Sequence, residues 1–205
     1  VTTRRPGLRE RTRQAVRSQL MDVAWDLFVQ QGYDATTVDE IAAAAGMSQR
    51  SFFRYFASKE DVVLVKFEAV GALLAGVLAD RPAQEDAWTA LRHSFDVIVE
   101  ATERDPRHGL ALLRITDQSA ALRAGRLDQQ LQWQELLTPL VATRMNLPSA
   151  GANHDPRPAA LTAAALACLN VANIVWLASE GTDSLRRLVD DAMSAVQPVR
   201  PHHDS

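Results

Sequence analysis

The sequence predicts an all-α fold of nine helices, divided into a small N-terminal three-helix domain and a larger helical domain behind it. Three observations lead there. Alanine, leucine and arginine dominate, and apolar residues recur at three- and four-residue steps with no alternating β-branched runs. Residues 32–60, GYDATTVDEIAAAAGMSQRSFFRYFASKE, hold two helix starts on either side of a glycine and a third near their end. The charge is divided as well. Residues 1–60 carry nine Lys/Arg against seven Asp/Glu, and residues 61–205 carry thirteen against eighteen, within a net charge of −3. At 205 residues, 47% of them hydrophobic, the chain is long enough to bury a substantial core.

Residues 1–8 are expected to be a disordered basic arm, since the first seventeen positions hold six arginines and one glutamate. A first helix from Arg9 to Gln31 buries Val16, Leu20, Val23, Ala24, Leu27 and Phe28. Thr37-Val38-Asp39-Glu40 is a capping box that starts the second helix, with Ile41, Ala42 and Ala45 on its apolar face. Gly46 is suited to the left-handed conformation that ends it. Ser48 caps a third helix whose Phe52 and Phe56 form an i,i+4 core pair. Gln49, Arg50, Phe53 and Arg54 then fall on its outward face.

Ser58 caps a fourth helix that carries Val62, Leu64, Val65, Phe67 and Leu74 towards Asp80, where Arg81-Pro82 breaks it. A fifth runs from Gln84 to Arg104 and stops before Asp105-Pro106. Residues 107–118 make a shorter piece, and a long helix spans Ala120 to Met145 with an expected kink at Pro139. Three prolines and a glycine make residues 146–158 a loop. Helices at 159–179 and 183–196 close the chain, ahead of a disordered tail at 198–205. The domains are therefore expected at 1–60 and 61–197.

Cap, short helix, glycine turn, short helix is the grammar of a helix-turn-helix and predicts a reader of duplex DNA. Arginine can bond guanine O6 and N7 bidentately, and glutamine can do the same for adenine N6 and N7. Gln49, Arg50 and Arg54 are thus candidate base readers, with Ser48 and Ser51 on the same short helix. Thr36 and Thr37 lie at the start of the second helix, where free N–H groups and the helix dipole favour a phosphate. Phosphate contact needs a local positive surface, which an acidic remainder of the chain does not preclude.

Residue order goes further than this grammar. TTVDEIAAAAGMSQRSFFRYFASKEDVV resembles the N-terminal signature of TetR-family transcription regulators, through Thr36-Thr37, Ile41-Ala42, Ala45-Gly46, Ser48 to Phe56 and Ser58-Lys59-Glu60. The resemblance covers residues 17–64 and implies the nine-helix architecture. It also implies that Lys59 and Tyr55 contact phosphate. Phe53 departs from the family pattern, which often has tyrosine there, so no backbone hydrogen bond is carried over to it.

For the rest of the chain the resemblance implies a ligand-binding and dimerisation domain. The alanine-rich helix at 159–178 has small side chains on nearly every face, which lets another helix approach closely. A homodimer through the two C-terminal helices is therefore expected. Trp88, Trp133 and Trp176 suit an apolar effector pocket, with Arg114, Asn170 and Asn173 as its polar groups. Each of these residues taken singly also fits ordinary packing. Arg114, in the apolar turn LALLRIT, is read as buried and in need of an anionic partner, either an effector or Asp117. ALRAGRLDQQLQWQELL and the helix ending in Trp176 are similar to actinobacterial TetR regulators thought to sense acyl-CoA-like ligands, which implies a bulky, partly apolar effector.

Other classes are disfavoured. Cys168 is the only cysteine, which leaves no intrachain disulfide and no Cys-based zinc site. The five histidines are scattered, and no Ser/His/Asp set, His-x-x-x-His pair, phosphate-cradling glycine loop or nucleotide fingerprint is present. Neither an enzyme nor a cofactor or metal is expected. Asn170 and Asn173 argue against a membrane span at 159–178, and without a signal peptide the chain is expected in the cytoplasm. The expected function is a homodimeric repressor, released from a pseudo-palindromic operator by a small effector. The alternative is a helix-turn-helix protein controlled by a protein partner.

Overall fold

A computed structural model describes residues 7–118, 120–147 and 155–196, the side chains of Asp117 and Gln118 excepted. The basic arm up to residue 6, most of the loop after residue 147 and the C-terminal tail lie outside the described residues. The helices are α1 (Leu8–Gln31), α2 (Val38–Ala44), α3 (Gln49–Phe52), α4 (Lys59–Asp80), α5 (Ala87–Ser94), α6 (Asp96–Arg104), α7 (Pro106–Gln118), α8 (Ala120–Arg144), α9 (Arg157–Ala178) and α10 (Leu185–Ala195). α5 and α6 meet at Phe95, whose φ of −75° and ψ of −15° stay in the α region. They are one helix tightened at a single residue, so nine helices are traced among the described residues. Its start is Ala87 rather than Gln84, because the Asp86 carboxylate accepts from the Trp88 and Thr89 amides and caps the helix there.

The chain divides into two compact units, Val1–Val65 and Lys66–Ser205. In the first, α1 buries Leu20, Ala24, Trp25 and Phe28 against Ile41, Ala42, Phe52, Phe56, Val62 and Val63. Val16, Val23 and Leu27, expected in this core, are only half-buried, and Trp25 takes space there that the sequence reading left unassigned. The aromatic rings meet edge to face, with centroids 5.6 Å apart for Trp25–Phe28 and 5.0 Å for Phe28–Tyr33.

In the second unit α9 is central and packs against α5, α7, α8 and α10. Its buried face carries Ala165, Leu166, Cys168, Leu169, Ala172 and Trp176. Its other face (Ala160, Ala167, Val171, Ile174, Val175, Ala178) is apolar and bare. Both α4 and α9 are long and apolar enough by length and composition to cross a bilayer. α8 runs unbroken through Pro139, and at its end Arg144 donates to the carbonyls of Leu78 (2.6 Å), Arg81 (2.7 Å) and Pro82 (2.9 Å). The guanidinium thereby satisfies carbonyls that the end of α4 leaves without helical partners. Arg92 and Arg186 tie α5, α6 and α10 together through Asp96, Glu100 and Asp190.

Candidate nucleic-acid interface and ligand cavity

The helix-turn-helix is held by a chain of local hydrogen bonds. The Thr37 hydroxyl accepts from the Glu40 amide at 3.2 Å, while Glu40 Oε2 accepts from the Thr37 amide at 2.8 Å. This reciprocal pair closes the capping box, and the Thr37 amide holds the exposed Glu40 carboxyl below the ordinary glutamate range. At the other end of α2, Gly46 has φ of +70°, which lets the Met47 amide reach back to Ala42 O at 2.9 Å. Ser48 then caps α3 by accepting from the Ser51 amide at 3.2 Å, and the two serine hydroxyls lie 3.0 Å apart. α3 is shorter than expected. Its helix spans Gln49–Phe52 and continues as hydrogen-bonded turns through Phe56.

Phe52 and Phe56 face the core, and Gln49, Arg50, Phe53 and Arg54 face outward, with Phe53 50% exposed. Arg50 and Arg54 have no carboxylate partner among the described residues. The cation of Arg17 sits 5.1 Å above the Phe56 ring and holds the first helix to the third. Beside them, Arg9, Thr12 and Arg13 of α1 share one groove with Arg54 and Tyr55. That cluster is a positively charged track of the kind that follows a phosphate backbone. Arg9 and Arg13 escaped the residue-by-residue reading, although their i,i+4 spacing on a helix places both on one face.

Two expected contacts have a different setting. Thr36 is 1% exposed, and its hydroxyl donates to Gly32 O at 2.7 Å. Its side chain fastens the turn after α1 and is not presented to a phosphate. Only Thr37 of the pair is on the surface. Lys59 Nζ donates to Tyr33 O at 2.9 Å and Thr36 O at 3.2 Å, and stands 4.2 Å over the Tyr33 ring. It therefore clamps the α1–α2 turn, with one of its three ammonium donors left over. Burial, and then the nearby Glu60 carboxylate, push the Tyr33 phenol far above its ordinary pKa, so the ring stays neutral beneath the cation.

In the second unit two helix faces oppose each other across a cavity of about 80 Å³. α8 contributes Arg126, Gln129, Gln130 and Trp133, and α9 contributes Leu166, Leu169, Asn170 and Asn173. Both sets follow i, i+3, i+4, i+7, one stripe of a helix. Phe67 of α4 and Leu113 of α7 complete the wall. A second cavity of about 90 Å³ lies behind Phe67, Leu113, Trp133, Leu169 and Asn173, lined also by Val70, Ile98 and Leu112. Trp133 is fixed in the partition. Its indole N–H donates to Phe67 O at 3.0 Å, and its ring lies over Gly71, where an added Cβ would approach it to 2.4 Å.

Trp133, Asn170 and Asn173 line one cavity, and three other candidates do not join them. Trp176 is 1% exposed and is enclosed in the core, its ring close to Gly109 and Gly181. Trp88 is half-buried on α5 and lies beside Asp190 and Met193 of α10. Arg114 is not buried: its side chain is 48% exposed and paired with Glu180. The alternative partner, Asp117, lies outside the described side chains. Sequence reasoning missed Arg126, Gln129 and Gln130. Counting back from Trp133 in helical steps would have found them, since polar residues there interrupt the apolar stripe an inward face requires.

Known proteins resemble this chain along most of its length. Residues 20–65 match the family described as "Bacterial regulatory proteins, tetR family", and residues 85–201 match the MftR C-terminal domain. The HTH-type transcriptional regulator TcmR of Streptomyces glaucescens is 31% identical over 202 residues, covering 96% of this chain and 88% of that protein. Among solved structures, Thermus thermophilus FadR, a TetR-family repressor in complex with lauroyl-CoA, has a TM-score of 0.60 at 22% identity and covers 92% of this chain and 98% of its own. The fatty acid degradation regulator FadR from Bacillus halodurans has a TM-score of 0.64 at 18% identity, covering 94% and 96%. These two likenesses are of fold.

Proposed function

The chain belongs to the TetR family and is a DNA-binding transcriptional regulator, not an enzyme, and from that premise we propose that it is a homodimeric repressor released from its operator by a small, partly apolar effector. The observation that carries the DNA-reading half is the capped α2–turn–α3 unit, which presents Gln49, Arg50 and Arg54 with no competing side-chain partner among the described residues. One such unit reads few base pairs, so specificity comes from two copies on a pseudo-palindrome. Thr37, Tyr55 and the free donor of Lys59 hold phosphates, with Ser48 and Ser51 at the edge of the contact. Arg9 and Arg13 extend the track along the backbone. Thr36 acts only by positioning the turn.

The bare apolar face of α9 supports dimerisation through α9 and α10, because a monomer gains nothing from exposing Val171, Ile174 and Val175 together. The half-polar cavity between α8 and α9 favours a small effector over a protein partner as the controlling signal. Effector binding acts on α4 through Phe67 and Trp133, and a few kcal/mol of differential affinity suffices to shift the dimer away from the operator-competent spacing. The protein acts in the cytoplasm, where its operator is.

Selection of bound DNA from a random pool supplies the operator for the test. Arg50→Ala is expected to cost roughly 1–3 kcal/mol on that site and to relax one base position. Lys59→Ala is expected to weaken all sequences alike and to lower the salt slope by about one unit. An unchanged salt slope removes Lys59 from the phosphate contacts, and unchanged affinity and base preference in the Arg50 variant defeats the recognition-helix assignment.

A further inference from the structure

We infer that the cavity between α8 and α9 selects a ligand carrying both an anionic group and a hydrogen-bond donor on an apolar body. The inference rests on the effector reading above and names the chemistry of that same site. It starts from Gln129. This side chain is 6% exposed, and its Nε2 donates to Gln132 Oε1 at 3.0 Å. That bond orients the amide and leaves Oε1, buried in the cavity wall, with no hydrogen-bond partner among the described residues. Buried carbonyl oxygens are almost always partnered, and one that is not marks a place where a partner is to be supplied. The Trp133 indole on the same cavity is already bonded to Phe67 O and does not supply that partner. The partner that fits is a ligand hydroxyl or N–H, since Oε1 can only accept.

Arg126 supplies the second determinant. It lines the same cavity one helical turn before Gln129 and has no carboxylate partner among the described residues. The other arginines of the second unit that face neighbouring helices are spoken for: Arg92 by Asp96 and Asp190, Arg144 by three carbonyls, Arg186 by Asp96 and Glu100. A guanidinium at a cavity wall without such a partner suits a carboxylate or phosphate. Residues i and i+3 lie on one face of a helix, so the ligand's acid and its donor meet the same wall of the cavity. Leu166, Leu169, Leu113 and Phe67 opposite them provide the apolar bed for what lies between.

The probes are 4-hydroxybenzoate, 4-methoxybenzoate, which lacks the donor, and 4-hydroxybenzamide, which lacks the charge. Titration calorimetry on the full chain compares them on wild type, Gln129→Met and Arg126→Met. Wild type is expected to bind 4-hydroxybenzoate about tenfold more tightly than either analogue, the discrimination a site gains when a buried polar group is left unpaired by the wrong ligand. In Gln129→Met the hydroxy–methoxy difference collapses while the acid–amide difference persists. In Arg126→Met the reverse holds. This crossed pattern separates ligand recognition from general damage to the fold, which would weaken all three probes together. Equal affinities in wild type, discrimination that survives its own variant, or no saturable binding at about 1 mM each overturns the inference. Release of operator DNA is measured separately. Crossed discrimination without release leaves the ligand class standing and defeats the effector coupling instead.

Discussion

Gly71 and Gly76 lie on one helix, α4, and the same substitution at the two positions should change stability in opposite directions. A Cβ at residue 71 would stand 2.4 Å from Trp133 Cδ1 and 2.5 Å from Trp133 Nε1. Those distances are too short for any contact, and the indole cannot slide aside freely because its N–H is bonded to Phe67 O at 3.0 Å. Overpacking of this kind costs about 1–3 kcal/mol, and loss of the indole bond adds about 1 kcal/mol. Against this, alanine is better than glycine in a helix interior by about 1 kcal/mol. The net expectation for Gly71→Ala is a loss of about 1–3 kcal/mol. A Cβ at residue 76 meets nothing within 4 Å, so Gly76→Ala keeps only the helix gain of about 1 kcal/mol. For a chain of this size each kcal/mol moves Tm by about 2–4 °C. Thermal unfolding followed by circular dichroism therefore separates the two variants, one below wild type and one above it. Near-ultraviolet dichroism reports whether Trp133 has moved. A Gly71→Ala protein as stable as wild type would falsify the packing of Trp133 over α4, and so the partition between the two cavities.

Thr37→Ala removes the hydroxyl half of the capping box and is expected to lower stability by about 1 kcal/mol in urea titration. The Glu40 carboxyl is held low first by the Thr37 amide, then by its hydroxyl and by Gln31. A carboxyl whose folded pKa is depressed contributes fully above its unfolded pKa, about 4.3, and that contribution is lost as pH falls through the lower folded value. Glu40→Gln should accordingly shrink the loss of stability on acidification in that window, and an unchanged acid limb would contradict the assignment. Val171→Asp combined with Ile174→Asp is expected to leave a helical monomer in sedimentation velocity. An intact dimer would remove the bare α9 face from the interface.

The N-terminal unit was legible because its determinants are local. The Thr37–Glu40 box spans four residues, Gly46 and Ser48 stand at adjacent turns, and Phe52 and Phe56 are one helical turn apart. The cavity was only partly legible because its walls come from helices far apart in sequence. Asn170 and Asn173 stand out as amides in an alanine-rich run, and Trp133 as an aromatic ring, so these three could be named without knowing what faced them. Trp176 has the same composition signal but points into the core, and the difference depends on the close approach of Gly109 and Gly181. Arg114 misled for a related reason. The run LALLRIT is apolar on both sides of it, yet a helix turns about a quarter revolution per residue, and Ile115 and Thr116 take the buried side. α9 itself has no clear amphipathic pattern, since one side is core, one lines the cavity and one is bare, all three built largely from small or apolar residues.

Several residues of the proposed nucleic-acid interface also fasten the fold. Thr37 is surface and cap at once, Ser48 caps α3 while flanking the recognition face, and Lys59 spends two donors on the carbonyls of Tyr33 and Thr36. In a unit this small the core alone supplies little margin, so caps and clamps of about 1 kcal/mol each matter to whether α2 and α3 keep their positions. Weakened DNA binding after substitution at any of the three therefore has two causes that affinity alone does not separate. Bound DNA must in turn stabilise the unit by linkage, since it binds only the folded form. Arg50 and Arg54 are different. They have no side-chain partner among the described residues, so their removal is expected to leave the free protein unchanged and to appear in the complex. Base recognition is tested on those two arginines, and the Lys59 result acquires meaning only beside the unfolding curve of the same variant.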